Sequence, residues 1–128
     1  MANDISALAQ DADATPVLSI ELNGAEPTER GCRLTFVVKN QLEQDIDRAA
    51  YEVALFGKDG LVKKLTALDF QAFPAGQTKV RQFDLADLDC GDLGRVLING
   101  VTACEGADED ACMARLETAA RGEIAFGR

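Results

Sequence analysis

The sequence predicts an all-β fold, an antiparallel β-sandwich of about seven short strands held by disulfides. Three observations carry the prediction. Apolar residues alternate with polar ones in short runs separated by Gly and Pro turns. No long segment repeats with the 3.6-residue helical period. Four cysteines, Cys32, Cys90, Cys104 and Cys112, fall at the ends of those runs in a chain without histidine. An even cysteine count with this placement points to disulfides and an oxidising compartment.

The 128 residues fit one domain, and 47% apolar with 27% charged content marks that domain as globular rather than disordered. Residues 1–15 are small, polar and acidic and read as a flexible leader, with 16–128 as the sandwich domain. The first strand is expected over 17–22, where Leu18, Ile20 and Leu22 alternate with polar residues. A polar turn is expected from Asn23-Gly24 through Pro27 to Gly31. The second strand, 32–39, turns Cys32, Leu34, Phe36 and Val38 to one face. After a polar loop, Tyr51, Val53 and Leu55 mark a third strand over 50–56. Asp59-Gly60 then signals a hairpin into a fourth strand over 61–68. Lys63 and Lys64 suit the edge of a sheet, where charge blocks pairing with another chain.

Pro74 and Gly76 form the next turn, because Pro presets φ and Gly accepts the left-handed conformation. The fifth strand is expected over 78–85, with an irregularity where Val80 and Phe83 fall out of phase. Residues 86–94 read as an acidic loop. Residues 95–104 read as a sixth strand broken at Asn99-Gly100, 107–116 as a short helical turn, and 117–126 as the last strand.

Seven such strands suit an immunoglobulin-like sandwich, in which the second and sixth strands lie in opposite sheets and begin at the same end. Cys32 opens the second strand and Cys90 precedes the sixth, so the two belong at one end. Cys104 closes the sixth strand at the other end, and Cys112 follows eight residues later. Of the three possible connectivities the strand map selects Cys32–Cys90 with Cys104–Cys112. In the loop-entropy picture the longer bridge is worth roughly 4 kcal/mol and the shorter roughly 2. No tryptophan is present to back a bridge through mid-core, so the first bridge is expected to staple the sandwich end.

Several function classes fit poorly. The net charge of -9 repels nucleic-acid phosphate and anionic lipid. No apolar run reaches the ~18 residues of a membrane span, and no basic segment leads into an apolar one as in an export signal. The disulfide reading therefore implies a signal removed before Met1-Ala2-Asn3; the competing reading is a cytosolic protein with four reduced cysteines. The cysteines lack the close-spaced pairs of zinc sites. Without histidine there is no partner for a catalytic thiol, and Ser6 and Ser19 have no activating neighbours. One Tyr and no Trp provide poorly for carbohydrate stacking, and Gly57, Gly60 and Gly76 read as turn glycines rather than a phosphate loop. No catalytic constellation, cofactor or established metal site is expected. The calcium candidates are two acidic clusters without EF-hand spacing: Asp84, Asp87, Asp89 and Asp92, and Glu105, Asp108, Glu109 and Asp110.

The stretches VVKNQLEQDI, YEVALFGKDGLV and FPAGQTKVRQFDL resemble bacterial immunoglobulin- or fibronectin-III-like envelope domains over about 38–85. There an N-x-L-x-x-x-I loop, a D-G hairpin and a P-x-G-x-T turn recur. GCRLTFVVKN with LDCGDLGRVLINGVTAC, within 17–104, is similar to small exported alphaproteobacterial proteins, often with twin-arginine signals and no assigned function. That resemblance implies periplasmic export and the cysteine positions, and transfers no catalytic residue. The expectation is a non-catalytic periplasmic binding or accessory module with an unknown protein partner. The alternative is a calcium-dependent adhesion or sensor domain using loop 84–92 or 105–110.

Overall fold

A computed structural model describes residues 16–128; the expected leader, 1–15, lies outside the described residues. Eight strands form two four-stranded sheets. They are β1 (Leu18–Pro27), β2 (Gly31–Asn40), β3 (Ile46–Gly57), β4 (Val62–Phe73), β5 (Thr78–Ala86), β6 (Leu93–Glu105), β7 (Leu116–Ala120) and β8 (Ala125–Gly127). The first sheet has the order β5-β2-β1-β7 and the second β4-β3-β6-β8. A 3-10 turn, Cys90–Asp92, precedes β6, and one helical turn, α1 (Glu109–Cys112), is what forms within 107–116. The all-β class, the two-sheet sandwich and both disulfides are as the sequence predicts.

The alternation in the sequence sets which faces meet. Leu18, Ile20 and Leu22 of β1 and Cys32, Leu34, Phe36 and Val38 of β2 are all buried. They pack across the sandwich on Tyr51, Val53 and Leu55 of β3 and on Val96 and Ile98 of β6. Phe36, Phe70 and Phe83 meet edge-on, with ring centroids 4.9–5.9 Å apart, and Phe126 and Tyr51 join them. Edge-to-face contact of this kind adds about 1 kcal/mol per pair beyond area burial. Aromatics from both sheets thus lock the middle of a core otherwise made of aliphatic residues.

Four local expectations change. The region 117–126 is two strands, not one. β7 runs parallel to β1 in the first sheet, and after a turn at 121–124 β8 runs parallel to β6 in the second. The chain crosses between sheets here so that Phe126 can reach Phe36. Asn23-Gly24 is not a turn: the β1–β2 ladder skips from Leu22 to Gly24, a bulge, and β1 continues to Pro27. Asn99-Gly100 likewise does not break β6; Asn99 is the extra residue between the Val53–Ile98 and Glu52–Gly100 pairs. In both places the Asn amide donates to a glutamate, Asn23 to Glu21 and Asn99 to Glu52, so the residue left out of the ladder is still hydrogen-bonded.

The expected irregularity at Val80 and Phe83 is absent, because β5 pairs with β2 without a break from Ala86 to Thr78. Val80 faces out and is 58% exposed. The inward phase carries Arg81, Phe83 and Leu85 instead. The Arg81 guanidinium donates to the carbonyls of Phe70 and Ala72 at 2.6 and 2.8 Å, clipping edge strand β5 to edge strand β4. Those carbonyls flank Gln71, whose φ of 63° marks a kink in β4. The lysine-bearing fourth strand is an edge, as Lys63 and Lys64 suggest.

Candidate functional site

The two bridges stand at opposite ends of the sandwich. Cys32–Cys90, with Cα atoms 5.1 Å apart, joins the start of β2 to the 3-10 turn before β6. Cys104–Cys112, at 6.1 Å, ties the end of β6 to α1. The pairing inferred from the strand map is the pairing observed.

At the Cys104–Cys112 end, one buried amide and one buried hydroxyl sit among apolar side chains. Asn40, 1% exposed, donates to the carbonyls of Phe73 and Gln44 at 2.7 and 3.1 Å and accepts from the Leu42 amide at 2.9 Å. Leu42 of the following loop and Ile46 at the start of β3 are buried. The N-x-L-x-x-x-I pattern thus has a physical meaning: one amide organises the turn and two apolar side chains plug the sandwich end. The Tyr51 hydroxyl donates to the Cys112 carbonyl at 2.6 Å, and burial pushes its pKa well above the usual phenol value. A hollow of about 290 Å³ lies here, lined mainly by polar residues including Glu43, Asp108, Asp110 and Arg115.

The Cys32–Cys90 end is built differently. A cleft of about 530 Å³ opens there. That volume falls in the range of small-molecule sites. Its apolar lining comes from Leu22, Ala25 and Pro27 of β1, Leu93 of β6 and Ile124 in the β7–β8 turn. Cys90 and Gly91 form one wall, so the disulfide fixes a side of the cleft to β2. Lys58, Arg121 and Glu123 are the charged residues at its lining. Arg121 is held by Glu21 at 3.1 Å, and Asp89 Oδ1 accepts the Gly91 amide at 2.9 Å. Lys58 has no carboxylate partner among the described residues. The bulge at Leu22–Gly24 widens β1 beside the opening, and a side chain added at Gly24 would meet no heavy atom within 4 Å.

The acidic candidates do not converge. Asp84 pairs with Arg33 at 2.6 Å, Asp92 approaches Lys63 at 3.7 Å, and Asp89 is used in the cap just described. Asp87 occupies a left-handed turn position with φ 59°. Asp108 precedes α1 and Asp110 lies within it, its carbonyl accepting from the Arg115 amide. Among the described residues no group of three or more carboxylates or thiols gathers as a metal site needs. The carboxylates held off their ordinary values, Glu21, Asp59, Asp69 and Asp84, are all held below them by hydrogen bonds. A general acid would need the opposite direction.

The cleft carries no sequence motif. It is made by residues more than 90 positions apart, and three of its four contributing segments bring a glycine to the lining, Gly24, Gly91 and Gly122. No helix among the described residues is long and apolar enough to cross a membrane. No protein-family model, curated protein or solved structure matches the chain.

Proposed function

We propose that this protein is an exported, non-catalytic binding module, an immunoglobulin-like sandwich working in the periplasm, and that its ligand sits in the cleft beside Cys32–Cys90. The single observation carrying the reading is the contrast in lining: an open apolar hollow at one end of a domain whose other end is closed by satisfied polar groups. Two disulfides support maturation outside a reducing cytosol. The resemblance to exported envelope proteins favours the periplasm among such compartments. The occupant is a small apolar molecule or an apolar side chain of a partner protein.

Charging the apolar wall tests this. Ile124 lines the cleft from the turn outside the strands and is half-buried, so Ile124→Asp puts a charge on the wall while the fold is retained. Protein matured in an oxidising compartment is expected to show a non-covalent ligand in native mass spectrometry, or to bind members of an apolar fragment panel, with amide shifts at Ala25 and Leu93. Ile124→Asp should abolish both. Ligand-free protein whose cleft amides respond to no fragment would overturn the reading.

A further inference from the structure

The two sheets turn unlike faces outward. The first presents Ser19 and Glu21 of β1, Arg33, Thr35 and Lys39 of β2 and Asp84 of β5, a polar surface interrupted by one large apolar pair, Val37 with Val80. The second presents hydrocarbon. Val62 and Leu65 of β4, Ala54 and Phe56 of β3 and Leu97 of β6 lie in the outward phase, opposite to the core residues Val53, Leu55, Val96 and Ile98. Val62 and Leu65, with Leu61 beside them in the hairpin, are three of the four large apolar residues left exposed among the described residues. A contiguous apolar patch on the outside of a sandwich marks an interaction surface.

Strand register sets this face out in rows. Leu65, Ala54 and Leu97 stand side by side across three strands. One row on lie Val62, Phe56 and Arg95; one row back lie Ala67, Glu52 and Gly100. Rows two residues apart are about 7 Å apart along the strands. The apolar row therefore has a cation on one side and an anion on the other. The Arg95 guanidinium lies 5.7 Å from the centroid of the Phe56 ring, and Glu52 accepts from the Asn99 amide. Neither has an oppositely charged partner among the described residues.

We infer that this face binds a second copy of the chain, the two sheets packing face to face about a two-fold axis that runs along the Leu65–Ala54–Leu97 row. Rotation about that axis exchanges the flanking rows. Arg95 of each copy then comes over the row that carries Glu52 of the other, and Val62 comes over the small Ala67. The apolar row meets itself. An axis along the strands would set Glu52 against Glu52 and Arg95 against Val62, which repels and pairs nothing. Matching charge and matching size in both directions are what an isologous interface requires. The sheet edges offer a poorer route. Arg81 of β5 occupies the Phe70 and Ala72 carbonyls of β4, and the other two edges, β7 and β8, have five and three residues. This face is separate from the cleft, and the inference does not rest on the cleft reading.

The test is sedimentation equilibrium of the intact disulfide-bonded protein from micromolar to millimolar concentration at physiological ionic strength. The protein should pass from monomer to dimer over this range. Leu65→Asp should keep it monomeric; Leu65 is 57% exposed, so the fold survives, which thermal melting checks. Val80→Asp, on the outer face of the other sheet, should dimerise as the parent does. Arg95→Glu and Glu52→Arg should each weaken the dimer about tenfold, because both charge pairs become repulsive. Mixed in equal amounts, the two variants should recover the parental affinity as a heterodimer, since each pair is again one cation and one anion. Protein that stays monomeric at millimolar concentration overturns the inference and leaves the face to a different protein. A dimer that survives Leu65→Asp is built on another surface, and a mixture no tighter than either variant alone rejects the axis; each result overturns the inference as well.

Discussion

The two ends of the sandwich solve the same closure problem in opposite ways. At the end closed by Cys104–Cys112, two polar side chains enter the interior and every hydrogen bond they need is made inside the protein. At the end closed by Cys32–Cys90 no polar side chain is buried among the described residues; the bridge holds the chain while apolar groups remain partly open to solvent. A satisfied amide or hydroxyl has no hydrogen bond left to offer a ligand. A disulfide fixes geometry without filling space. The difference teaches where to look for recognition: at the end held covalently and left unfilled, because there the exposed apolar surface is tolerated by a scaffold that cannot collapse to cover it.

If that comparison is right, the two bridges differ in weight. Cys32–Cys90 closes a loop of 58 residues and Cys104–Cys112 one of 8. Replacing both members of the first pair by Ala should cost about 4 kcal/mol, and both members of the second about 2. Each pair contains one fully buried sulfur, Cys32 or Cys112, so loss of packing is similar and the loop term decides. Urea denaturation of the two double variants measures it. An equal or larger loss from the Cys104–Cys112 pair would reverse the assignment of covalent and polar closure.

The polar closure breaks through Asn40 and Tyr51. Asn40→Ala removes three hydrogen bonds and leaves the buried Phe73 carbonyl without this donor, an expected loss of about 3 kcal/mol. Tyr51→Phe keeps the ring among its aromatic neighbours and deletes only the bond to Cys112, an expected loss of about 1 kcal/mol. Hydrogen exchange at Ala111 to Met113 should quicken in the Tyr51 variant while Gly91 to Leu93, at the other end, stays protected. Uniform quickening at both ends would show that the ends are not independent.

How far the sequence carries this contrast depends on the residue. The bridges are readable because strand starts and ends place the cysteines, and an even count in a chain without histidine leaves little else for them to do. Asn40 is readable in part: its spacing to Leu42 and Ile46 announces a loop, though not that the amide is buried. The cleft is not readable at all. It needs β1 to bulge at Asn23-Gly24 and the chain to cross sheets at 121–124, and both are tertiary outcomes. Asn-Gly is a strong local hairpin signal, yet at 23–24 and 99–100 the neighbouring strand pairing prevails and turns it into a bulge. Arg81 was hidden for a related reason: nothing in its local pattern shows that an edge strand in the opposite sheet kinks at Gln71 and offers two carbonyls. Val80 is the apolar residue of the pair, yet it faces out and the inward position belongs to Arg81.

Electrostatics treats the ends alike in layout and differently in mechanism, and this gives the smallest expected effect. On the outer face of the first sheet, Arg33 of β2 bridges Asp84 of β5 and Glu26 of β1. On the second, Arg48 of β3 bridges Asp69 of β4 and Glu105 of β6. Both aspartates are held below the ordinary value of about 4. For Asp84 the main cause is the Arg33 side chain; for Asp69 it is the neutral Gln71 amide, with Arg48 adding to it. A carboxylate with a lowered folded-state pKa binds fewer protons than its unfolded counterpart below about pH 4. Its contribution is therefore complete above that pH and is lost as pH falls through the folded value. Asp84→Asn and Asp69→Asn should each flatten the acid limb of a stability-against-pH curve. All these groups are exposed, so the effects are slight. Molar salt separates them: it should screen the ion pair at Asp84 and erase most of the difference that Asp84→Asn makes, while the amide bond at Asp69 keeps most of its own. Equal salt sensitivity of the two variants would mean that Arg48, rather than the Gln71 backbone, holds Asp69, and that the two clamps are the same device repeated at both ends.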